Sequence, residues 1–139
     1  EAVFFGAAAK QLTMTPTEYF QRNVWIGASF LRPSEAPLRH DVGVDRIMWG
    51  ADYPHSEGSY PYTTEALRAA FGDVPTDETR RMVETNAAEV YGFDLDALRT
   101  IGNRIGPTVA AVAEPIDPAQ YPTDSTCNAF DRDQVIKAW

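Results

Sequence analysis

Several features that mark particular classes of protein are scarce or missing in this 139-residue sequence. The single cysteine, Cys127, has no partner within the chain, so we expect no disulfide and a reducing compartment, the cytoplasm. No apolar run approaches the roughly 18 residues of a membrane span. A Gly-rich phosphate loop, a G-x-S-x-G motif and a basic stripe are also missing. These absences argue against a disulfide-stapled domain, a membrane-spanning protein and the enzymes that those motifs mark.

Positive charge is scarce as well. The chain has 12 Lys and Arg residues against 20 Asp and Glu residues, which gives a net charge of −8. Such a charge argues against nucleic acid or an anionic membrane as partner. The hydrophobic content of 44% is ordinary for a soluble globular protein and is enough to form a core.

The stretch that carries most of the chemistry is residues 45–62, DRIMWGADYPHSEGSYPY. Its apolar run predicts a strand over residues 46–51, buried on both faces as in a parallel sheet. Asp52 and His55 come directly after that strand. In α/β folds the carboxyl ends of parallel strands carry the chemistry, so these two residues are the first candidates for a site.

A second buried strand is predicted over residues 23–31, because Val24, Trp25 and Ile26 are continuous and favour β-structure. Between the strands, Ser34 is expected to cap a short helix over residues 35–42, which Gly43 ends in a left-handed conformation. Strand, helix and strand form a βαβ unit, so the pattern predicts a parallel sheet.

The other helices are predicted from their caps. Thr15 and Glu18 form a capping box that predicts a helix over residues 16–22. Later helices are expected over residues 63–71, 77–91 and 95–105, with one or two turns over 108–113; their predicted caps are Thr63, Thr76 and Asp94. Residues 1–12 suit a helix end or an apolar arm.

From residue 114 the chain is rich in proline and polar residues, so we predict an extended tail over residues 114–139 that wraps a surface. Its anchors would be Phe130, Val135, Ile136 and Trp139. Two parallel strands alone cannot cover their faces and edges. The sequence also starts at Glu1 without an initiator Met, and we interpret the chain as part of something larger.

Three segments resemble the amidohydrolase-related family, and in particular its aminocarboxymuconate-semialdehyde decarboxylase branch. Residues 44–63 resemble the last barrel strand and its loop, where Gly-Ala-Asp-Tyr-Pro at 50–54 matches the family pattern. Residues 86–93, NAAEVYGF, resemble the closing helix. Residues 16–20 and the strand after them resemble the approach to the seventh strand. The resemblance covers roughly residues 14–113.

The resemblance implies an α/β fold, namely the C-terminal part of a (β/α)8 TIM barrel: the last two strands and following helices within residues 1–113, then the tail. A complete barrel takes about 250 residues. The histidines that the family carries on its first strand and in mid-barrel have no counterpart here. A homo-oligomer or a partner chain is expected to supply the rest of the barrel.

The resemblance also assigns roles to the site residues. It makes Asp52 a ligand of a divalent metal, Zn²⁺ or else Mn²⁺, and the residue that transfers protons. The alternative is that Asp52 only caps the loop. His55 would contact substrate at the pocket mouth or act as a hydrogen-bonded loop residue. The spacing Asp52, His55, Glu57 is not an established metal motif, so this chain alone is expected to ligate the metal incompletely.

The remaining candidates have structural interpretations. His40 lies on the helix between the strands, and we predict it on the surface. Trp25 and Trp49 are predicted in the core. Asn86 lies within a helix and is interpreted as a structural contact to the final strand, and Cys127 is not expected to act as a nucleophile.

The resemblance therefore implies a metal-dependent hydrolase of small carboxylate, amide, ester or lactone substrates. A non-oxidative decarboxylase on the same scaffold is the first alternative. The second is a non-catalytic fragment or structural subunit that needs a partner chain for its metal site. We expect the 139 residues alone to be inactive.

Overall fold

The computed structural model of the chain describes residues 11–131, together with Gly6. The predicted apolar arm or helix end over residues 1–12 lies almost wholly outside the described residues, as do Val135, Ile136 and Trp139. The helices and strands are α1 (Pro16–Asn23), β1 (Ile26–Ser29), α2 (Arg39–Val42), β2 (Ile47–Gly50), α3 (Thr63–Phe71), α4 (Thr76–Arg80), α5 (Asn86–Tyr91), α6 (Leu95–Ile105) and α7 (Val109–Val112).

The two strands form a parallel sheet, as the βαβ pattern predicts. Ile26 lies opposite Ile47, and Ser29 lies opposite Gly50. The described residues form this two-stranded sheet and no barrel. The α/β class is confirmed, and the arrangement is compatible with part of a larger barrel.

Strand β2 is covered by the helices that follow it. Ile47 is 5% exposed and belongs to a core cluster with three residues of α3 and one residue between α4 and α5: Leu67, Ala70, Phe71 and Met82. Trp49 packs against the same cluster, which agrees with its predicted core position. Burying such side chains is the main source of stability in this half of the fold.

Strand β1 is not buried as predicted. Val24, Trp25 and Ile26 are 36–39% exposed, and Trp25 precedes the strand rather than lying in it. The guanidinium of Arg46 lies 4.6 Å from the centre of the Trp25 ring, as in a cation–π contact. The core prediction for Trp25 is therefore wrong: its apolar run is continuous, but no described helix covers it.

Capping predictions succeed where a side chain lies just outside a helix. The capping box of Thr15 and Glu18 is present at α1, and Asp94 accepts hydrogen bonds from the first turn of α6. The predicted caps Thr63 and Thr76 are instead the first residues of α3 and α4, after Tyr62 and Pro75. Those two predictions are wrong by one position, since neither threonine lies outside its helix.

The connection between the strands also differs in detail. The predicted helix over residues 35–42 is a 3₁₀ turn (Ala36–Leu38) followed by the short α2. Ser34 does not cap it, because Glu35 is the N-cap residue, and the Glu35 carboxylate binds the backbone N–H of Arg32 at 2.9 Å. Gly43 ends α2 with a φ of 104°, but its ψ of 117° lies outside the left-handed helical region.

The Asn86 side chain links the helical segment over residues 76–91 to β2 through hydrogen bonds. Helices α4 and α5 are joined by a π-helical turn (Arg81–Thr85) and run on through residues 76–91. The Asn86 side chain is 1% exposed, and its Nδ2 donates to the carbonyls of Val44 at 2.8 Å and Ile47 at 2.7 Å. The predicted structural contact to the final strand is confirmed.

The described part of the tail is extended, with 3₁₀ turns at Pro118–Gln120 and Asn128–Phe130. Its side chains form a second core cluster on Ala66 of α3: Ile116, Tyr121, Cys127, Ala129 and Phe130. The division at residue 113 into a barrel portion and a tail stays a prediction. Among the described residues, no helix has the length and apolarity needed to cross a membrane.

Candidate metal centre

The candidate site is the loop that follows β2, residues 52–62, called the site loop below. Asp52 enters it with a φ of 55°, a left-handed conformation in which Asp is more frequent than most residues. The loop closes on itself because the N–H of Ser59 donates to the Ala51 carbonyl at 2.9 Å. The N–H of His55 donates to the Asp52 carbonyl, also at 2.9 Å. The turn therefore holds Asp52 and His55 on the same side of the strand end.

Two small residues allow this tight closure. A Cβ on Gly58 would lie within 3.0 Å of the carbonyl oxygens of Ala51, Asp52 and His55, so only glycine fits without a shift of the backbone. Ser59 is fully buried, and its hydroxyl lies 3.1 Å from the hydroxyl of Thr63. The loop is thereby joined to the first turn of α3.

Three potential ligands meet in this loop. Oδ2 of Asp52 lies 3.0 Å from Nδ1 of His55. With Glu57 they form a group whose ligand atoms all lie within 4.8 Å of one another, called the site cluster below. The Asp52 side chain is 28% exposed and that of His55 is 67% exposed. A small molecule in solution can therefore reach both.

The neighbouring carboxylates change the pKa of the His55 imidazole. The hydrogen bond that the imidazole donates to Asp52 raises the pKa of His55 above its ordinary value, and the charges of Asp52 and Glu57 add to the effect. The protonated imidazole is thus favoured beside Asp52 in the absence of a cation. A bound cation would compete with that proton for the same donor atoms.

The donor set fits a divalent metal. Zn²⁺ binds imidazole nitrogen and carboxylate oxygen at about 2.0–2.2 Å, which places two tetrahedral ligands about 3.3 Å apart. The 3.0 Å separation of Asp52 and His55 is close to that value. Glu57 is exposed, so its side chain has room to rotate inward from separations of up to 4.8 Å. Oxygen donors also suit Mn²⁺.

The other sequence candidates lie outside the site cluster. His40 is 58% exposed and lies 3.7 Å from the carboxylate of Glu78, so it is a surface residue as predicted. Cys127 is 3% exposed, and burial raises the pKa of its thiol. A raised pKa disfavours the reactive thiolate, in agreement with the expectation that Cys127 is not a nucleophile.

A cavity of about 350 Å³ lies on the helix side of β2 and does not coincide with the site cluster. Its walls are mainly apolar and include Trp49, Leu67, Phe71 and Val112. None of the three potential ligands lines it. We place the chemistry at the site loop, since carboxylate and imidazole groups meet there.

Sequence reasoning missed the contacts between the tail and the site loop. The Tyr62 hydroxyl donates to the Asp124 carboxylate, at 2.8 and 2.9 Å from its two oxygens. The Thr126 hydroxyl donates to the Ser56 carbonyl at 2.6 Å. These partners are 62 and 70 residues apart in sequence, and no local pattern signals such contacts.

Comparison with known proteins adds the family. The sequence profile of the amidohydrolase family matches residues 10–93, more than half of the chain, including both strands and the site cluster. No curated protein matches the chain. The family comprises hydrolase and decarboxylase types and is generally metal-dependent, whereas the narrower semialdehyde decarboxylase branch stays a prediction. The chain belongs to the amidohydrolase family.

Proposed function

We propose that this chain supplies Asp52 as a metal ligand and proton-transfer residue to a metal-dependent hydrolase of small carboxylate, amide or ester substrates. The observation that carries the proposal is the close approach of Asp52 and His55, 3.0 Å apart, at the carboxyl end of β2. In α/β barrels that end of the strands is where catalytic residues lie. Family membership supports the same reaction class.

Asp52 and His55 of the site cluster act in the proposed reaction itself. A divalent cation supplies Lewis acidity and lowers the pKa of a bound water. One carboxylate oxygen of Asp52 would hold the cation, and the other would accept a proton from the attacking water and return it to the leaving group. His55, on the exposed side of the loop, contacts the substrate. Its raised pKa favours an imidazolium that attracts a substrate carboxylate.

A decarboxylase is the second candidate. Replacing a departing carboxylate requires a proton donor beside the reacting carbon. The pairing with Asp52 favours the protonated imidazole of His55, which is the observation in favour of this reaction. The two candidates share Asp52 and differ in whether His55 or Asp52 delivers the decisive proton.

We further propose that the site is completed by residues outside these 139. The sequence contains two histidines, and one of them, His40, is not part of the site cluster. A catalytic zinc site generally has three protein ligands. With His55 assigned to the substrate, the site cluster offers two, Asp52 and the exposed Glu57. The uncovered strand β1 supports the same proposal, because a parallel strand normally has neighbours. The rest of the same protein, a second copy or a partner chain would supply them.

Zinc binding tests the role of Asp52. The 139-residue chain is dialysed against zinc and its metal content is measured for the wild type, Asp52→Asn and a control, Asp45→Asn, whose carboxylate is not part of the site cluster. We expect weak binding by the wild type and Asp45→Asn, and at least tenfold weaker binding by Asp52→Asn. Equal binding by Asp52→Asn would remove Asp52 from the metal site. Tight stoichiometric binding by the chain alone would contradict the need for outside ligands.

Turnover tests the reaction class in the completed protein. Small carboxylates, amides and esters are assayed for hydrolysis and for release of carbon dioxide. Asp52→Asn should abolish either reaction, because it removes both the ligand and the proton acceptor. Unchanged turnover in Asp52→Asn would exclude Asp52 from the chemistry.

A further inference from the structure

The tail is fastened first at the C-terminal end of α3. The guanidinium of Arg68 donates to the carbonyls of Glu114 at 2.7 Å and Pro115 at 3.1 Å. Gly72 touches the tail so closely that a Cβ on it would lie 2.5 Å from Cα of Pro115. The start of the tail is therefore fixed against the end of the helix.

The tail then covers α3 with the second core cluster. Its buried side chains pack around Ala66, which is 1% exposed, near the middle of the helix. A helix of nine residues is about 13 Å long. The tail thus runs from the end of α3 back to its beginning, where the site loop enters the helix.

The end of this path meets the site loop at two points. Asp124 accepts the hydroxyl hydrogen bond of Tyr62, the last residue of the loop. Two residues later, the Thr126 hydroxyl donates to the carbonyl of Ser56. Ser56 lies between His55 and Glu57, so this bond acts on the backbone between these two members of the site cluster.

The bonds within the loop hold its base more than its tip. They join Ala51 to Ser59, Asp52 to His55 and His55 to Gly58. The bond from Thr126 is the one that reaches the Ser56 carbonyl from outside the loop. The Ser56 carbonyl belongs to the peptide unit that joins Ser56 to Glu57. Without the bond from Thr126, rotation of that unit would move Glu57 relative to Asp52 and His55, whose own backbone bonds lie within the loop.

We propose that Thr126 is a positioning residue, which clamps the site loop from the tail and so sets the position of Glu57 relative to Asp52 and His55. The proposal rests on the proposed function for its chemical meaning, but the clamp itself is a property of the metal-free chain. Thr126 is exposed, unlike its neighbour Cys127. Its substitution should therefore loosen the loop and leave the core cluster intact.

Three variants test whether the Thr126 hydroxyl holds the site loop. Thr126→Val keeps the shape and removes the donor, Thr126→Ser keeps the donor, and Thr123→Val makes the same change at an exposed tail position three residues earlier. Amide hydrogen exchange is measured over residues 52–62 in the metal-free 139-residue chain. We expect about threefold faster exchange in Thr126→Val, and wild-type rates in the other two variants.

The same variants separate positioning from simple packing. In Thr126→Val, zinc binding should weaken about threefold, while exchange in residues 76–91 and the urea midpoint stay at the wild-type values. Thr126→Ser should restore the zinc affinity. The proposal is overturned if Thr126→Val behaves like Thr123→Val, or if Thr126→Ser loosens the loop as much as Thr126→Val does.

Failure of the clamp and failure of the metal site give different results. Loosening of the loop in Thr126→Val while zinc leaves wild-type loop exchange unchanged would support the clamp and contradict the metal site. Zinc protection of the loop in both wild type and Thr126→Val, with equal affinities and exchange rates, would support the metal site and overturn the clamp.

Discussion

The two strands of the sheet differ in what covers them. β2 begins at Ile47, which is 5% exposed and packs on α3 and on the π-helical turn between α4 and α5. β1 begins at Ile26, which lies directly opposite Ile47 in the sheet and is 36% exposed. An isoleucine is thus buried in the core in β2, whereas the isoleucine paired with it in β1 is about one third exposed.

The difference follows the order of the chain. Helices α3–α5 come after β2 and pack back on it, and Asn86 binds the carbonyls of the residues that lead into and begin it. No described residue donates comparable side-chain hydrogen bonds to the carbonyls of β1. The contrast teaches that, among the described residues, the helices after β2 build its environment, whereas β1 has no comparable cover.

The largest expected effect is the difference in stability between alanine substitutions of Ile47 and Ile26. Ile47→Ala removes a buried side chain from a packed cluster and should cost about 3 kcal/mol of unfolding free energy. Ile26→Ala is the matched control and should cost about 1 kcal/mol or less, because over a third of that side chain is already exposed. Urea denaturation of the 139-residue chain measures both.

Equal losses of unfolding free energy in Ile47→Ala and Ile26→Ala would contradict the difference in burial between the two strands. A large loss in Ile26→Ala would mean that β1 is covered in solution, for example by a second copy of the chain. Repeating the measurement at several protein concentrations distinguishes this case, because the stability of a dimer depends on concentration.

A smaller effect should come from Asn86. Asn86→Ala removes the hydrogen bonds to Val44 and Ile47 and should cost about 2 kcal/mol, since one partly buried and one buried carbonyl lose their partner. Asn103→Ala, on the exposed helix α6, is the control and should leave stability within about 0.5 kcal/mol. Similar stabilities of the two variants would show that Asn86 does not hold β2.

The smallest effect concerns the ends of the strands. Phe30, after β1, and Asp52, after β2, both have positive φ, but Asp52 is the one that carries a charge. Asp52→Asn should lower the pKa of His55 toward its ordinary value, because it removes the largest cause of the raised pKa. Glu57→Gln should lower it less. NMR titration of the imidazole in metal-free protein measures both.

This shift also fixes a pH dependence. Because the folded pKa of His55 is raised, its pairing with Asp52 contributes stability below the unfolded pKa of about 6.5. That contribution is lost as the pH rises through the folded value. A pKa of His55 that is unchanged in Asp52→Asn would contradict the pairing of these two side chains.

Local signals predicted much of the fold. The capping box at Thr15 and the cap at Asp94 depend on residues three positions apart or fewer, so the sequence is sufficient to place them. The parallel pairing follows from the βαβ order. The exposure of Trp25 and Ile26 did not follow, because an apolar run shows that a strand prefers burial and not whether a helix covers it.

The site was predictable in part for the same reason. Asp52 and His55 are three residues apart at a strand end, and the structure places them in contact. Their expected roles as ligand and substrate contact stay predictions. The bond between Thr126 and Ser56 was not predictable, because it depends on how the tail packs over α3.

The contact of Arg68 with Glu114 and Pro115 has a practical consequence for the limits of this domain. The family profile ends at Phe93, yet the partners of Arg68 and most of the residues around Ala66 come from beyond residue 113. A chain cut at Phe93 would keep every potential ligand and expose an apolar flank of α3 to water. Such a shortened protein should be prone to aggregation, so the unit that recombination can move intact is larger than the unit that sequence similarity outlines.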